Sequence, residues 1–167
     1  MSALSLLELA ELLTLQGAEM VGTVAAAMLE AGEEVKVEAK KMIGHQHPAA
    51  MGPFEGWKPL AQRTRLERVA LGFSANRPLL RTGEMRDSLE VRLIDAMEVE
   101  VGSDLDKALW QERGTKGPNA GPSGYHIPPR SFLGAAAWMK EDRIVDILGV
   151  HIESLLVGGN VPNVRIR

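Results

Sequence analysis

Residues 21–42 read VGTVAAAMLEAGEEVKVEAKKM and form the longest regular pattern in the chain. Apolar side chains recur every three or four residues, at Val21, Val24, Met28, Ala31, Val35, Ala39 and Met42. Because an α-helix has about 3.6 residues per turn, this spacing places them on one face of a helix. The stretch therefore predicts a long amphipathic helix that ends near Gly44 and packs its apolar face on a sheet or on a neighbouring subunit.

Upstream of this pattern the chain is rich in leucine, and Ser5-Leu-Leu-Glu8 fits a capping box at a helix start. Gly17 and Gly22 weaken the helical pattern, because glycine has a low helix propensity. We therefore expect a short helix followed by a long one. Residues 1–16 form a helical appendage in this interpretation, residues 17–156 a single domain, and residues 157–167 a C-terminal tail that contains Gly and Pro.

Irregular chain follows, with six glycines and prolines between residues 44 and 59. Residues 60–71 predict a short basic helix, and Thr82-Gly83 predicts a turn into another short helical stretch. Residues 89–94 alternate mostly in the manner of a strand. Asp95-Ala96 then suits a tight turn into a second strand over residues 99–101. The middle of the chain therefore predicts an antiparallel hairpin.

The next predicted helix begins with Ser103 as N-cap, with Asp104 and Asp106 in its first turn, where the helix dipole favours anions. It ends at Arg113, before Gly114. Residues 114–124 contain four glycines and two prolines and predict a long exposed loop. A final helix is expected to carry one apolar side formed by Leu133, Ala136, Ala137, Ile144, Ile147, Leu148, His151, Ile152 and Leu155.

Composition excludes several classes of protein. The chain has 167 residues, a formal net charge of −3 and no cysteine. Disulfide scaffolds, thiol nucleophiles and cysteine-ligated metal sites are therefore excluded. A general nucleic-acid binder is also disfavoured, because it would carry more basic than acidic residues and this chain does not. The longest apolar run has about half the ~20 residues that a membrane span needs. We expect a soluble protein that stays in the compartment where it is made.

Charge is distributed in blocks along the chain. Residues 1–50 carry three Lys and seven Glu, whereas residues 57–92 carry eight basic and four acidic side chains. Residues 93–106 add five acids and no base. Such blocks could bring the acidic surface of one copy against the basic surface of another. Solvated faces without a partner are the alternative interpretation. With the leucine-rich start, the blocks predict self-association at high concentration.

Few residues in the sequence are candidates for catalysis or metal binding. His45 and His47 could ligate one metal, but the sequence offers no third ligand nearby, and we expect their Gly- and Pro-rich segment to fix neither ring. His151 lies on the apolar side of the last helix and is expected to pack there. No phosphate-binding glycine motif, nucleophile elbow or zinc-protease motif occurs. These observations predict a protein that is not an enzyme and uses no metal or other cofactor.

Five stretches, taken together and in order, resemble the virion morphogenesis (tail completion) proteins of tailed bacteriophages. They are Trp57-Lys-Pro-Leu60 with Thr64, Pro78-Leu-Leu-Arg-Thr-Gly-Glu-Met-Arg-Asp-Ser88, Val101-Gly-Ser103, Ala108-Leu-Trp-Gln-Glu-Arg-Gly-Thr115 and Ile127-Pro-Pro-Arg-Ser-Phe-Leu-Gly134. The resemblance covers roughly residues 57–156. It implies an α+β fold in which a small antiparallel sheet packs against the long N-terminal helix and the C-terminal helix.

The same resemblance implies a structural protein of the neck or upper tail, which completes the tail and helps to join it to the DNA-filled head. Its implied partners are the connector or head-completion protein, the tail terminator or the tail tube, and further copies of itself, as a hexameric ring in one version. No cofactor, sequence-specific nucleic acid or membrane is implied. The chain would assemble in the host cytoplasm and reside in the virion.

Motif residues are the candidates for an interface with these partners. They are Trp57, Leu60, Thr64, Leu80, Thr82, Gly83, Gln111, Glu112, Gly114, Tyr125, Ile127, Pro129, Arg130, Phe132 and Leu133. Maintenance of the fold is the alternative role for each of them. Arg130, between proline-stiffened backbone and Phe132, could bond carbonyls at a strand end or reach a carboxylate.

Two other functions remain open from the sequence. The chain could be a tail terminator, which caps the tail tube as a hexameric ring. It could also be a metal-dependent hydrolase that uses His45 and His47. A neighbouring gene for a tail tube or sheath would favour either phage role, and stoichiometric metal in the purified protein would favour the hydrolase.

Overall fold

A computed structural model describes residues 6–115 and 126–157 and has the predicted α+β fold. The elements follow in the order α1 (Leu6–Met42), α2 (Gln62–Ala70), α3 (Glu84–Asp87), β1 (Glu90–Asp95), β2 (Glu98–Gly102), α4 (Asp106–Arg113), α5 (Leu133–Met139) and α6 (Glu141–Val157). The α1 helix packs against the β1–β2 sheet, α5 and α6. In these ranges, no helix combines the length and apolar character of a membrane span.

The predicted stripe on α1 forms one wall of the core. Its members Ala31, Val35, Ala39 and Met42 are buried, and the last three pack with apolar side chains from the other elements. The core cluster consists of Val35, Ala39, Met42, Ile43, Trp57, Met85, Leu89, Ala108, Phe132, Ala135 and Ala136. Burial of apolar surface at about 25 cal/mol per Å² makes this cluster the main source of stability.

The prediction of a short helix followed by a long one is wrong, because α1 is a single helix of 37 residues. A Cβ atom added at Gly17 or Gly22 would meet nothing within 4 Å, so neither glycine is required by a close contact. Each glycine costs about 1 kcal/mol relative to alanine, and good helix formers on both sides offset that cost. The predicted end is confirmed: Gly44 has φ 96° and donates its N–H to the Pro78 carbonyl. Ser5 of the expected capping box lies outside the described residues.

The predicted hairpin is confirmed. The β1 and β2 strands are antiparallel, with Val91 opposite Val101 and a bulge between Leu93 and Asp95. An isolated two-stranded hairpin is marginal in water, so it needs a packing partner. That partner is α1, which approaches closely at Gly32: a Cβ atom there would lie 2.7 Å from Val91 Cγ1 and 3.1 Å from Val99 Cγ2.

Ser103 does not cap α4 as predicted, since the helix begins three residues later at Asp106. The Ser103 hydroxyl accepts the Leu105 N–H at 3.1 Å and bonds the Ser88 hydroxyl at 2.7 Å. Asp104 lies outside the first turn and bonds Arg92 at 2.5 Å instead, which holds the pKa of Asp104 below its usual value. The predicted helix end at Arg113 is confirmed.

The predicted single C-terminal helix is two helices that meet at Lys140. The Lys140 N–H donates to both the Ala136 and Ala137 carbonyls, which closes α5. The Lys140 ammonium lies 3.3 Å from Glu34 and 3.5 Å from Glu38, so charge pairs fix the junction on α1. Along α6, Ile147 and His151 are buried as predicted, whereas Ile152 is half exposed.

Candidate functional site

Three of the motif stretches, distant in sequence, meet at the N-terminal end of α5. Stretch 57–60 supplies Trp57, α4 supplies Gln111 and Glu112, and the connection before α5 supplies Arg130 and Ser131, all joined by hydrogen bonds. We call Trp57, Gln111, Glu112, Arg130, Ser131 and Phe132 the motif cluster.

Glu112 caps α5 from another helix. One carboxylate oxygen accepts the Phe132 N–H at 2.8 Å and the Leu133 N–H at 3.0 Å. The other accepts the Ser131 hydroxyl at 2.5 Å and the Gly134 N–H at 2.9 Å. The first N–H groups of a helix have no partner within the helix, and a negative charge there is stabilised by the helix dipole. Glu112 therefore holds α5 to the end of α4.

Trp57 is the buried aromatic anchor of the cluster. Its indole N–H donates to the Ser131 carbonyl at 3.1 Å, and its ring forms an edge contact with His47 at 4.6 Å between centroids. The preceding Gly56 is required by close packing, because a Cβ atom there would lie 2.1 Å from the Pro48 carbonyl oxygen. Leu60 is also buried and ends this stretch.

Arg130 is 5% exposed and bonds a backbone carbonyl as predicted, but at a different place in the fold. Its Nε and Nη2 atoms donate to the Lys58 carbonyl at 3.3 and 3.0 Å, and Nη1 donates to the Gln111 side-chain oxygen at 3.4 Å. The Lys58 carbonyl lies in the irregular segment before α2 and not at a strand end. The Glu112 carboxylate accepts N–H groups at the start of α5 instead of bonding Arg130. Burial, and then the charge of Arg68, lower the pKa of Arg130. Arg130 therefore joins three segments of the fold.

Thr115 and Ile127 join the two ends of the loop that the sequence predicts. The Thr115 N–H donates to the Ile127 carbonyl, and the Ile127 N–H donates to the Thr115 hydroxyl, both at 2.9 Å. Gly114 has φ 73°, and a Cβ atom there would lie 2.9 Å from Pro129 Cδ. Tyr125 and residues 116–124 lie outside the described residues.

Four candidates lie on elements apart from the motif cluster. Gly83 is buried with φ 90° and begins α3, and the Glu84 N–H donates to the Thr82 hydroxyl at 3.4 Å. This confirms the predicted turn. Leu80 packs on the core beside Gly44, and Thr64 is half-buried on α2. Within the motif cluster Phe132 is fully buried, and the adjacent Leu133 packs partly buried on the core.

The two candidate metal ligands have different environments. His45 is exposed, whereas the His47 ring packs on Trp57 and its Nε2 lies 3.2 Å from the Met42 carbonyl. The expectation that the segment fixes neither ring is therefore wrong for His47. In the part of the chain that the structure describes, no group of three or more His, Asp or Glu side chains could hold a metal ion.

Sequence reasoning missed the capping role of Glu112 and the hydrogen bonds of Ser131. A local signal existed, since a serine before an Ala-rich stretch is typical of a helix start. The partner in α4 had no such signal, because it depends on how the chain folds back. The cluster residues are buried or half-buried and joined by hydrogen bonds, which suits a structural joint between segments.

The chain matches no protein-family model, no curated protein and no solved structure at a significant level of similarity.

Proposed function

We propose that this protein is a structural component of the neck or upper tail of a tailed bacteriophage, where it completes the tail and helps to join it to the DNA-filled head by protein–protein binding. The proposal rests on the five ordered stretches that resemble tail completion proteins. The observation that carries it is the convergence of three of these stretches in the motif cluster. Residues that a family shares for its fold are expected to converge in this way.

The motif cluster would act by holding binding surfaces, and not by contacting a partner itself. Its side chains are buried or half-buried and its polar groups are hydrogen-bonded, whereas the Thr115–Ile127 bonds fix both ends of the loop that the sequence predicts, which could reach a neighbour. Loops held by a rigid scaffold commonly carry binding function. The partners we propose are the connector or head-completion protein, the tail terminator or the tail tube, and other copies of this chain in the virion.

Deletion of the gene from the phage tests the proposal. We expect electron microscopy of the lysate to show DNA-filled heads and separate tails, and the wild-type gene on a plasmid to restore joined particles. A second plasmid that carries Glu112→Ala should restore them poorly if the cluster holds the binding surface. Normal infectious particles from the deletion phage would overturn the proposal.

A tail terminator is the second candidate within the same class, because the charge blocks suit a closed ring. The deletion experiment separates the two roles through tail length. Without a terminator, the tube has no cap and continues to grow, so overlong tails are expected. Tails of normal length that fail to join heads favour tail completion.

A further inference from the structure

The α2 helix presents an apolar face to solvent. None of its residues is buried, and Leu66 and Val69 are 64% and 59% exposed. The opposite side holds the helix in place, since the Arg68 guanidinium donates to the Arg77 carbonyl at 2.6 Å and the Leu80 carbonyl at 3.1 Å. We call Leu66, Val69 and Ala70 the α2 face.

A second exposed apolar face lies on α1. The stripe whose buried members begin at Ala31 continues toward the N-terminus through Met28 and Val24 to Val21, and Val21 and the adjacent Met20 are 56% and 57% exposed. Residues 17–22 are all exposed. At 1.5 Å per residue, the part of α1 from Leu6 to residue 22 is about 25 Å long. We call Met20 and Val21 the α1 face.

These two faces do not cover each other within one copy, because all four of the named side chains, Met20, Val21, Leu66 and Val69, stay more than half exposed. The two sequence segments that carry these faces differ in charge. Residues 1–22 contain three Glu and no Lys or Arg, whereas residues 58–81 contain six basic residues and one acidic residue. An acidic apolar helix and a basic apolar helix are complementary in both charge and hydrophobicity.

We propose that the α1 face of one copy docks on the α2 face of the next copy. Two copies that exchange this contact reciprocally form a closed dimer, whereas one contact per pair leaves a free face at each end, and its repetition leads to a closed ring or an open filament. This contact specifies how copies associate, which the proposed function includes among its partners. It depends on the proposed function only for that self-association. Each face exposes few apolar side chains, so the association is concentration-dependent and weakens with added salt.

Cross-linking tests the contact directly, because the chain has no cysteine. Tagged Val21→Cys protein is mixed with untagged Leu66→Cys protein, and a short bismaleimide is added. We expect the yield of cross-linked tagged–untagged dimer to exceed the yield of cross-linked dimer from either variant alone. Val145→Cys, at an exposed site on α6, should give only background. Dominant Val21→Cys homodimers would overturn the proposal in favour of α1–α1 pairing. Background levels in every mixture would overturn it outright.

Size measurements on full-length protein give the second test. Sedimentation across a concentration series should show the wild type and the control Val145→Glu associating, and Val21→Glu and Leu66→Glu remaining monomeric. A mixture of the two monomeric variants should form a one-to-one dimer, because each retains the face that the other lacks. If either variant associates like the wild type, the contact does not join the α1 face to the α2 face and the proposal fails.

The same variants distinguish other occupants of the α2 face. Binding to vesicles of anionic lipid that Leu66→Glu abolishes, with no association between copies, would overturn the proposal in favour of a membrane surface. These experiments use the purified protein alone. A failure there leaves the deletion test of the proposed function unaffected, and a failed deletion test leaves the contact between copies standing.

Discussion

Glu112 Oε1 accepts a 2.9 Å hydrogen bond from the Gly134 N–H, although the two residues lie 22 positions apart in the chain. The bond joins the end of α4 to the start of α5. With the bonds from the Phe132 and Leu133 N–H groups, a single carboxylate accepts three backbone N–H groups at the start of α5.

Glu112→Ala is expected to lower the free energy of unfolding by about 2–3 kcal/mol, because it removes charge-assisted bonds and leaves buried N–H groups unsatisfied. Chemical denaturation measures the change. Glu153→Ala on α6, at an exposed site, is the control and should change it by less than about 0.5 kcal/mol. Equal stability of both variants would mean that the cap contributes nothing.

Two glycines of α1 should respond oppositely to alanine. Gly32→Ala places a methyl group 2.7 Å from Val91 Cγ1 and should destabilise the protein by about 1–3 kcal/mol through overpacking against the hairpin. Gly22→Ala meets open space and should stabilise it by about 0.5–1 kcal/mol through helix propensity. Thermal melts of the two variants check the pair. A stabilising Gly32→Ala would show that α1 and the hairpin are not in tight contact.

His45→Ala and His47→Ala should differ in their effect on stability, and neither should change metal binding. Loss of the edge contact with Trp57 should cost His47→Ala about 1 kcal/mol, whereas exposed His45→Ala should be neutral. Calorimetric titration of the wild type with Zn²⁺ should show no stoichiometric site. A tight one-to-one site that both substitutions remove would favour the hydrolase interpretation.

Replacing residues 116–124 with a short Gly-Ser linker should leave the thermal midpoint nearly unchanged, because the Thr115–Ile127 bonds join the two ends independently of what lies between them. Under the proposed function, the same replacement should abolish head–tail joining in the complementation assay. Infectious particles at the wild-type level would show that the loop is a passive connection.

Periodic and local features of the fold could be predicted from the sequence. The α1 stripe, the hairpin turn at Asp95 and the short helix after Gly83 each depend on residues a few positions apart. Predictions were wrong where tertiary contacts decide the outcome. Gly17 and Gly22 do not break α1, and the C-terminal helix divides at Lys140, where glutamates of α1 hold the side chain.

The candidate site was predicted only in part. The resemblance to a family makes every residue of the motif cluster except Ser131 a candidate, but the bonds of these residues depend on contacts between segments. The Arg130 guanidinium, for example, reaches a backbone carbonyl 72 positions away, and any residue could supply that carbonyl. No pattern in the sequence marks Lys58 as its partner.

The packing of α6 on α1 also determines when this chain can complete its fold during synthesis. His151 bonds Glu30 at 3.1 Å across 121 positions of sequence. At about 5–20 residues per second, the ribosome needs roughly 6–24 s to make the chain between them. During that time the apolar stripe of α1 has been made but lacks α6. The nascent chain is therefore expected to be a chaperone client until its last helix emerges.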